Sequence, residues 1–187
     1  MSNANPMRIV AGTHRGRRLE TPPDERIRPT SDRIRESLFN ILRHRLDGFA
    51  GKRALDAFAG TGALGLEALS RGVDSVAFID RSRDSLALCR RNAISLGLDS
   101  RSSFHLADLT RPPQAQAPCD LVLLDPPYGE GLASIALTAL DAAGWLGKDV
   151  LAVIEADKAQ PEVTPAGFTV IDSRDYGRTR ISILERA

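Results

Sequence analysis

Asp56-Ala-Phe-Ala-Gly60-Thr-Gly62-Ala-Leu-Gly65 lies between a short apolar run, residues 53–57, and a helical one, residues 63–70. Glycines at such a place let the chain turn tightly and let a ligand approach the backbone, while the helix N-terminus that follows favours negative charge. Gly60, Gly62 and Gly65 satisfy the spacing G-x-G-x-x-G, and Asp80 follows 18 residues after Gly62 at the end of the next apolar run. An acid there is placed to accept hydrogen bonds from a ribose diol. The spacing predicts a strand–turn–helix that cradles a nucleotide-like ligand. By itself it leaves a nicotinamide cofactor and S-adenosylmethionine both open.

Working outward, the rhythm stays strand, helix, strand. Arg53 to Ala57 reads as a strand, Ala63 to Ser70 as a helix with a stop at Gly72, and Ser75 to Asp80 as a second strand. A helix from Arg83 to about Leu96 ends at Gly97, followed by strands at Ser103 to Ala107 and Asp120 to Leu124, a helix at Leu132 to Ala143 and a strand at Val150 to Glu155. Phe168 to Asp172 and Arg180 to Leu184 form a closely spaced terminal pair. Alternation of this kind predicts a Rossmann-like α/β fold: a mostly parallel, seven-stranded sheet with helices on both faces and an antiparallel C-terminal edge. Upstream, Arg8 to Glu20 reads as an extended hairpin turning at Gly12-Thr13. A helix is expected after Pro29, capped by Thr30 or Ser31, with Ile34, Leu38, Ile41, Leu42 and Leu46 on one face. The expected organisation is a loose leader at 1–7, a basic hairpin-and-helix extension at 8–50 and the main domain at 51–187.

At 187 residues the chain suits one well-buried domain, and 42% hydrophobic with 26% charged residues is ordinary for a globular protein. No apolar run is long enough for a bilayer, and the N-terminus lacks the apolar core of a secretory signal, so a cytoplasmic protein is expected. Cys89 and Cys119 form no paired motif, which suits a reducing compartment, and His14, His44 and His105 lack ligand spacing, so no metal site is expected. The net charge of +1 hides an asymmetry: residues 8–45 hold ten arginines against five acids, a local +5, which leaves −4 for the remainder. Arginine forks phosphate and stacks on bases. Arg15, Arg17, Arg18, Arg28, Arg33 and Arg35 are therefore candidates for contact with a polyanion, against the plainer alternative of a solvated surface with local ion pairs.

Two further features separate the ligands left open by the glycine turn. A carboxylate at Asp56, four residues before Gly60, would repel a pyrophosphate but suits the ammonium and sulfonium of S-adenosylmethionine. Phe58, Thr61 and Arg81 flank the same turn and strand end, and Asp108-Leu109 after the third strand offers an acceptor for an adenine amine and an apolar surface for its ring. Second, Leu121-Val-Leu-Leu-Asp125-Pro126-Pro127-Tyr128 sets an apolar strand before a rigid polar turn. The prolines fix their own φ and remove two backbone donors, which leaves an acceptor carbonyl at Pro126. An exocyclic base amine is a poor nucleophile because its lone pair is delocalised into the ring. Asp125 and the Pro126 carbonyl can each accept one N–H and draw that nitrogen toward a pyramidal geometry, while Tyr128 offers a stacking face for a flipped base. With an ordinary carboxyl pKa of about 3.9, Asp125 is expected to orient the amine and stabilise developing charge rather than act as a strong base.

These residues resemble the RsmD-like methyltransferases over nearly the whole chain. Arg8-Ile-Val-Ala-Gly-Thr-His-Arg-Gly-Arg-Arg-Leu19 is similar to the family's opening hairpin, and Arg28-Pro-Thr-Ser-Asp-Arg-Ile-Arg-Glu-Ser-Leu-Phe-Asn40 to its most diagnostic segment. Leu55 to Gly62, Asp125 to Tyr128 and Tyr176-Gly-Arg-Thr-Arg-Ile-Ser-Ile-Leu184 complete the match in order, while Gly129-Glu130-Gly131 is a glycine-rich departure from it. The resemblance implies methylation of the N2 amine of a guanine in 16S ribosomal RNA, guanine 966, with S-adenosylmethionine as cofactor, no metal, and a monomer acting on an assembling small subunit. It also implies that Asp56, Gly60, Gly62, Asp80 and Asp108 line the cofactor pocket. A DNA adenine-N6 enzyme would share the tetrapeptide but would want a further recognition domain. A nicotinamide oxidoreductase leaves Asp125 to Tyr128 without a role, and a non-catalytic RNA-binding module explains neither motif.

Overall fold

The computed structural model describes residues 7–22, 32–127, 131–160 and 164–187. The elements run α1 (Asp32–Arg45), β1 (Arg53–Ala57), α2 (Ala63–Ser70), β2 (Ser75–Asp80), α3 (Arg83–Leu96), a single 3₁₀ turn at Asp99–Arg101, β3 (Ser102–Leu106), β4 (Cys119–Leu124), α4 (Leu132–Ala142), β5 (Leu146–Asp157), β6 (Phe168–Tyr176) and β7 (Thr179–Arg186). One seven-stranded sheet has the order β3-β2-β1-β4-β5-β7-β6. The first five strands in that order are parallel, and β7 and β6 close the edge antiparallel. This is the expected α/β architecture. The last three strands are longer than their apolar runs suggested: ladder pairing to β7 carries β6 through Ser173-Arg174-Asp175, and β5 begins at Leu146, paired with Cys119 ahead of an irregular stretch that takes in Lys148-Asp149.

Each face of the sheet carries its own apolar cluster. On one, Leu38, Phe39 and Leu42 of α1 pack with Leu66 and Leu69 of α2 over Leu121, Leu123, Val153, Ile181 and Ile183. On the other, Leu137 and Leu140 of α4 and Trp145 cover Leu55, Ile79, Val122, Leu124 and Ile154. Met7, Ile9 and Leu19 belong to the first cluster, so residues 7–22 and α1 share the core of the main domain. Of the leader expected at residues 1–7, Met7 belongs to this core and the rest lies outside the described residues, as does the helix cap at Thr30 or Ser31.

The hairpin read at residues 8–20 is a compact strap with one ladder bridge, Arg8 to Arg18, and cross-bonds from Ile9 N to the Arg17 carbonyl and from Leu19 N to the Met7 carbonyl. Its real anchorage is to helices. Glu67, fully buried on α2, accepts the amides of Val10 (2.7 Å) and Ala11 (3.0 Å) and the Nε of Arg71. Ser70 accepts from His14 N and donates to the Ala11 carbonyl. Gly12 turns with φ +84° where a Cβ would stand 1.9 Å from the Ser70 carbonyl oxygen, so no other residue fits.

Candidate active site

Because β1 lies beside β4 with Ala57 paired to Leu124, the residues that follow them, Phe58 and Asp125, leave the sheet from neighbouring strand tips about 4.8 Å apart in the ladder direction. A cleft of about 510 Å³ opens there, lined by Phe58, Gly60, Asp80, Arg81, Ser85, Ala107, Asp108, Leu109, Asp125, Pro126, Pro127, Leu132 and Glu155. Its volume suits a ligand of nucleoside size. The glycine turn and the Asp-Pro-Pro segment, 69 residues apart from Asp56 to Asp125, thus share one wall.

The turn is held from below. Phe58 takes a left-handed φ of +64°, uncommon for a bulky side chain and of the strained kind that gathers at functional sites. Gly60 donates its N–H to Asp80 Oδ2 at 2.9 Å, and Ser82 N donates to Oδ1 at 2.8 Å. Each carboxylate oxygen keeps a further lone pair for a diol. Asn92 of α3, almost wholly buried, donates to the carbonyls of both Thr61 and Glu20 and accepts from Glu20 N, so one side chain ties the turn to the basic strap. Thr61 also donates its hydroxyl to the Met7 sulfur. Gly62 packs on Cys89, whose Sγ lies 2.4 Å from the position a Cβ would take.

Several expected residues occupy other places. Asp56 is 2% exposed, does not line the cleft, and accepts the Gly65 N–H at 2.8 Å. It braces the turn from within the fold instead of facing a ligand's cation, because alternation along β1 puts it on the face of Ala54, which α1 and α2 cover. Burial drives its carboxyl well above the usual range, and the charges of Asp125 and Asp80 push the same way. Thr61 and Gly62 likewise support the wall without lining it. Asp108 does line the cleft; it is exposed and accepts the N–H and hydroxyl of Thr110, which hold its carboxyl below the ordinary value, the backbone bond first.

Asp125 itself departs from the ordinary carboxyl assumed from sequence. It is exposed and lines the cleft wall. Desolvation, followed by the negative charge of Glu155, pushes it up to about 7. It is therefore matched to proton transfer near neutrality. Tyr128, Gly129 and Glu130 lie outside the described residues, and Gly131 caps α4 with φ +76°. Sequence reading missed Ser85, Ala107, Leu132 and Glu155. Glu155 was within reach of the same rule that found the other acids, since it stands near the C-terminal end of β5.

Among the candidate RNA contacts, Arg15, Arg17, Arg18 and Arg33 are exposed, with Arg17 donating to the Ser95 carbonyl at 2.8 Å. Arg28 lies outside the described residues. Arg35 is corrected: at 1% exposure it is an internal strut, donating to the Arg8 carbonyl and to Asp32, each at 2.8 Å. Its position explains this, for residues 35, 38, 39 and 42 fall on one face of α1. Among the described residues no group of histidines, cysteines and acids is arranged to hold a metal, and no helix is long and apolar enough to cross a membrane.

Comparison with known proteins places this geometry. The family model described as Conserved hypothetical protein 95 matches residues 7–185. The chain belongs to that family, the RsmD-like methyltransferases. It is 35% identical over 175 residues to the Ribosomal RNA small subunit methyltransferase D of Haemophilus influenzae, covering 91% of this chain and 89% of that one. Against the Escherichia coli protein of the same name the figures are 32%, 99% and 92%. A solved structure described as "Putative methyltransferase yhhF from Escherichia coli" superimposes with a TM-score of 0.81 at 30% identity, over 96% of this chain and 97% of that one. The fold described above is thus shared with that solved structure.

Proposed function

We propose that this methyltransferase uses S-adenosylmethionine to methylate the exocyclic N2 amine of a guanine in small-subunit ribosomal RNA, guanine 966 by family resemblance. The names of the relatives supply the class of RNA. The carrying observation is the wall shared by Phe58, Gly60 and Asp80 with Asp125 and Pro126. The cofactor fits the chemistry of that wall: four carboxylates, Asp80, Asp108, Asp125 and Glu155, face it against one arginine, Arg81. Such a field favours a sulfonium and an ammonium and opposes the pyrophosphate of a dinucleotide. Asp80 would take the ribose diol, with Asp108 and Leu109 at the adenine. When bound, the cofactor supplies an electrophilic methyl group.

The rest falls to this chain. Asp125 and the Pro126 carbonyl each accept one hydrogen of the target amine, so that its lone pair is freed from the ring and aimed. Pro127 keeps that carbonyl's neighbourhood rigid, and Tyr128 is assigned the stacking face for the flipped base. As positive charge develops on the nitrogen, Asp125 stabilises it and takes up its proton, a role its raised affinity for protons allows. The substrate is proposed to be an assembling small subunit met by a monomer, with Arg15, Arg17, Arg18, Arg28 and Arg33 toward RNA phosphates. The test joins Asp125→Ala to mass spectrometry of ribosomal RNA nucleosides. Loss of the methylated guanosine with S-adenosylmethionine affinity kept within a few-fold is expected; equal loss of both means that Asp125 serves the cofactor instead.

A further inference from the structure

The strap that carries Arg15, Arg17 and Arg18 turns at the end of α2 remote from the cleft. Its amides at Thr13 and His14 meet Ser70, the last residue of α2, whereas the glycine turn adjoins Ala63, the first. Eight helical residues, about 12 Å, separate the two. An RNA strand whose base is seated at Asp125 also has to pass the neighbouring strand ends.

The tip of the β6–β7 hairpin lies on the β5 side of Asp125. Leu124 pairs with Ile154, so Asp125 stands level with Glu155. Glu155 pairs with Ile181, and Asp157 with Thr179. Thr179 is therefore two residues outward and two strands sideways from Asp125, about 12 Å by ordinary strand spacings, and the turn at Gly177-Arg178 lies just beyond it. Alternation also puts it on the right side. Leu123, Val153 and Ile181 face the α1 cluster, and by the same parity so do Asp125, Glu155, Asp157 and Thr179. On β6, Arg174 pairs with Ile181 and Tyr176 with Thr179, which adds both to that face.

The tip is fastened to α1 and carries three arginines, Arg174, Arg178 and Arg180, each paired with an aspartate. Tyr176 Oη lies 3.0 Å from Ser37 Oγ, which fastens β6 to α1. The side chain of Arg178 is 68% exposed and that of Arg174 48%. Each is held by a carboxylate, Arg178 by Asp157 at 3.1 Å and Arg174 by Asp172 through Nε at 3.0 Å and Nη2 at 3.1 Å. Asp172 and Asp157 are mostly buried, their side chains 18% and 13% exposed, so each pair stays formed and orients a guanidinium whose remaining N–H groups are left for a phosphate.

We propose that Arg174 and Arg178 form an RNA-binding rim beside the cleft, gripping phosphates that flank the target base. This rests on the RNA methyltransferase reading above. The experiment measures binding of a 16S ribosomal RNA transcript at several salt concentrations to the wild type, R174A/R178A and R174K/R178K, with S-adenosylmethionine affinity and melting temperature measured on each. The alanine pair is expected to bind RNA about tenfold more weakly and to lower the slope of log affinity against log salt by roughly 0.7–0.9 for each phosphate no longer gripped, while the lysine pair regains the slope. Cofactor affinity and melting temperature should match the wild type in both. A wild-type slope in R174A/R178A overturns the rim and leaves the enzyme reading standing. A wild-type protein that binds this RNA but methylates no RNA overturns both.

Discussion

Replacing Asp125 by asparagine should make the protein more stable at pH 8 and leave its stability unchanged near pH 4. The carboxyl rises from 3.8 to about 7 in the folded chain, through desolvation first and Glu155 second. A raised folded value means that the native state keeps a proton which the unfolded chain has already released. Stability from this group is therefore full below about pH 4, falls as pH rises toward 7, and is flat beyond. A shift of about three units corresponds to roughly 4 kcal/mol in a fully dry site. Asp125 meets water across the cleft, so screening leaves about 1–2 kcal/mol. For a chain of this size that is a melting difference of about 2–8 °C. Thermal unfolding by circular dichroism at pH 4.5, 6 and 8 on both proteins tests it, since titrating groups away from Asp125, Asp56 and Glu155 cancel in the difference. The same melting difference at all three pH values would falsify the claim that the cleft holds Asp125 short of its ordinary ionisation. The same carboxyl should appear in catalysis as a rise in kcat/KM with an apparent pKa near 7.

Two other substitutions follow from the geometry. Gly62→Ala sets a Cβ 2.4 Å from Cys89 Sγ at a residue with φ +80°, so a loss of about 2–4 kcal/mol is expected in chemical unfolding, with part regained in G62A/C89A; an undiminished midpoint would show that the turn can shift freely. Replacing Arg15, Arg17 and Arg18 with alanine should weaken RNA binding and reduce its salt slope by roughly one unit for each phosphate left unneutralised, read by the same titration used for the rim, and an unaltered slope moves that RNA surface elsewhere.

Local pattern carried most of the architecture. β1, α2, β2 and α3 begin and end where apolar periodicity and the glycines at 60, 62, 72 and 97 put them, because backbone turns of that kind are encoded by the residues that make them. The two chemical motifs were legible for the same reason. Arg35 was not: its charge suggested a surface, yet its register on α1 sends it inward with Leu38 and Phe39. Asp56 misled likewise, since its residue type spoke for a ligand while its place on a central strand left only a backbone amide to meet it.

The sequence by itself determined the strand–helix alternation, the tight cofactor-type turn and the rigid acceptor turn, each a property of a few consecutive side chains and their φ preferences. Only the tertiary structure decided that β1 and β4 are neighbours and that Glu155 shares the cleft wall with Asp125. Those are relations between segments distant in the chain, settled by how the sheet is ordered and by how much water its packing removes from each charge.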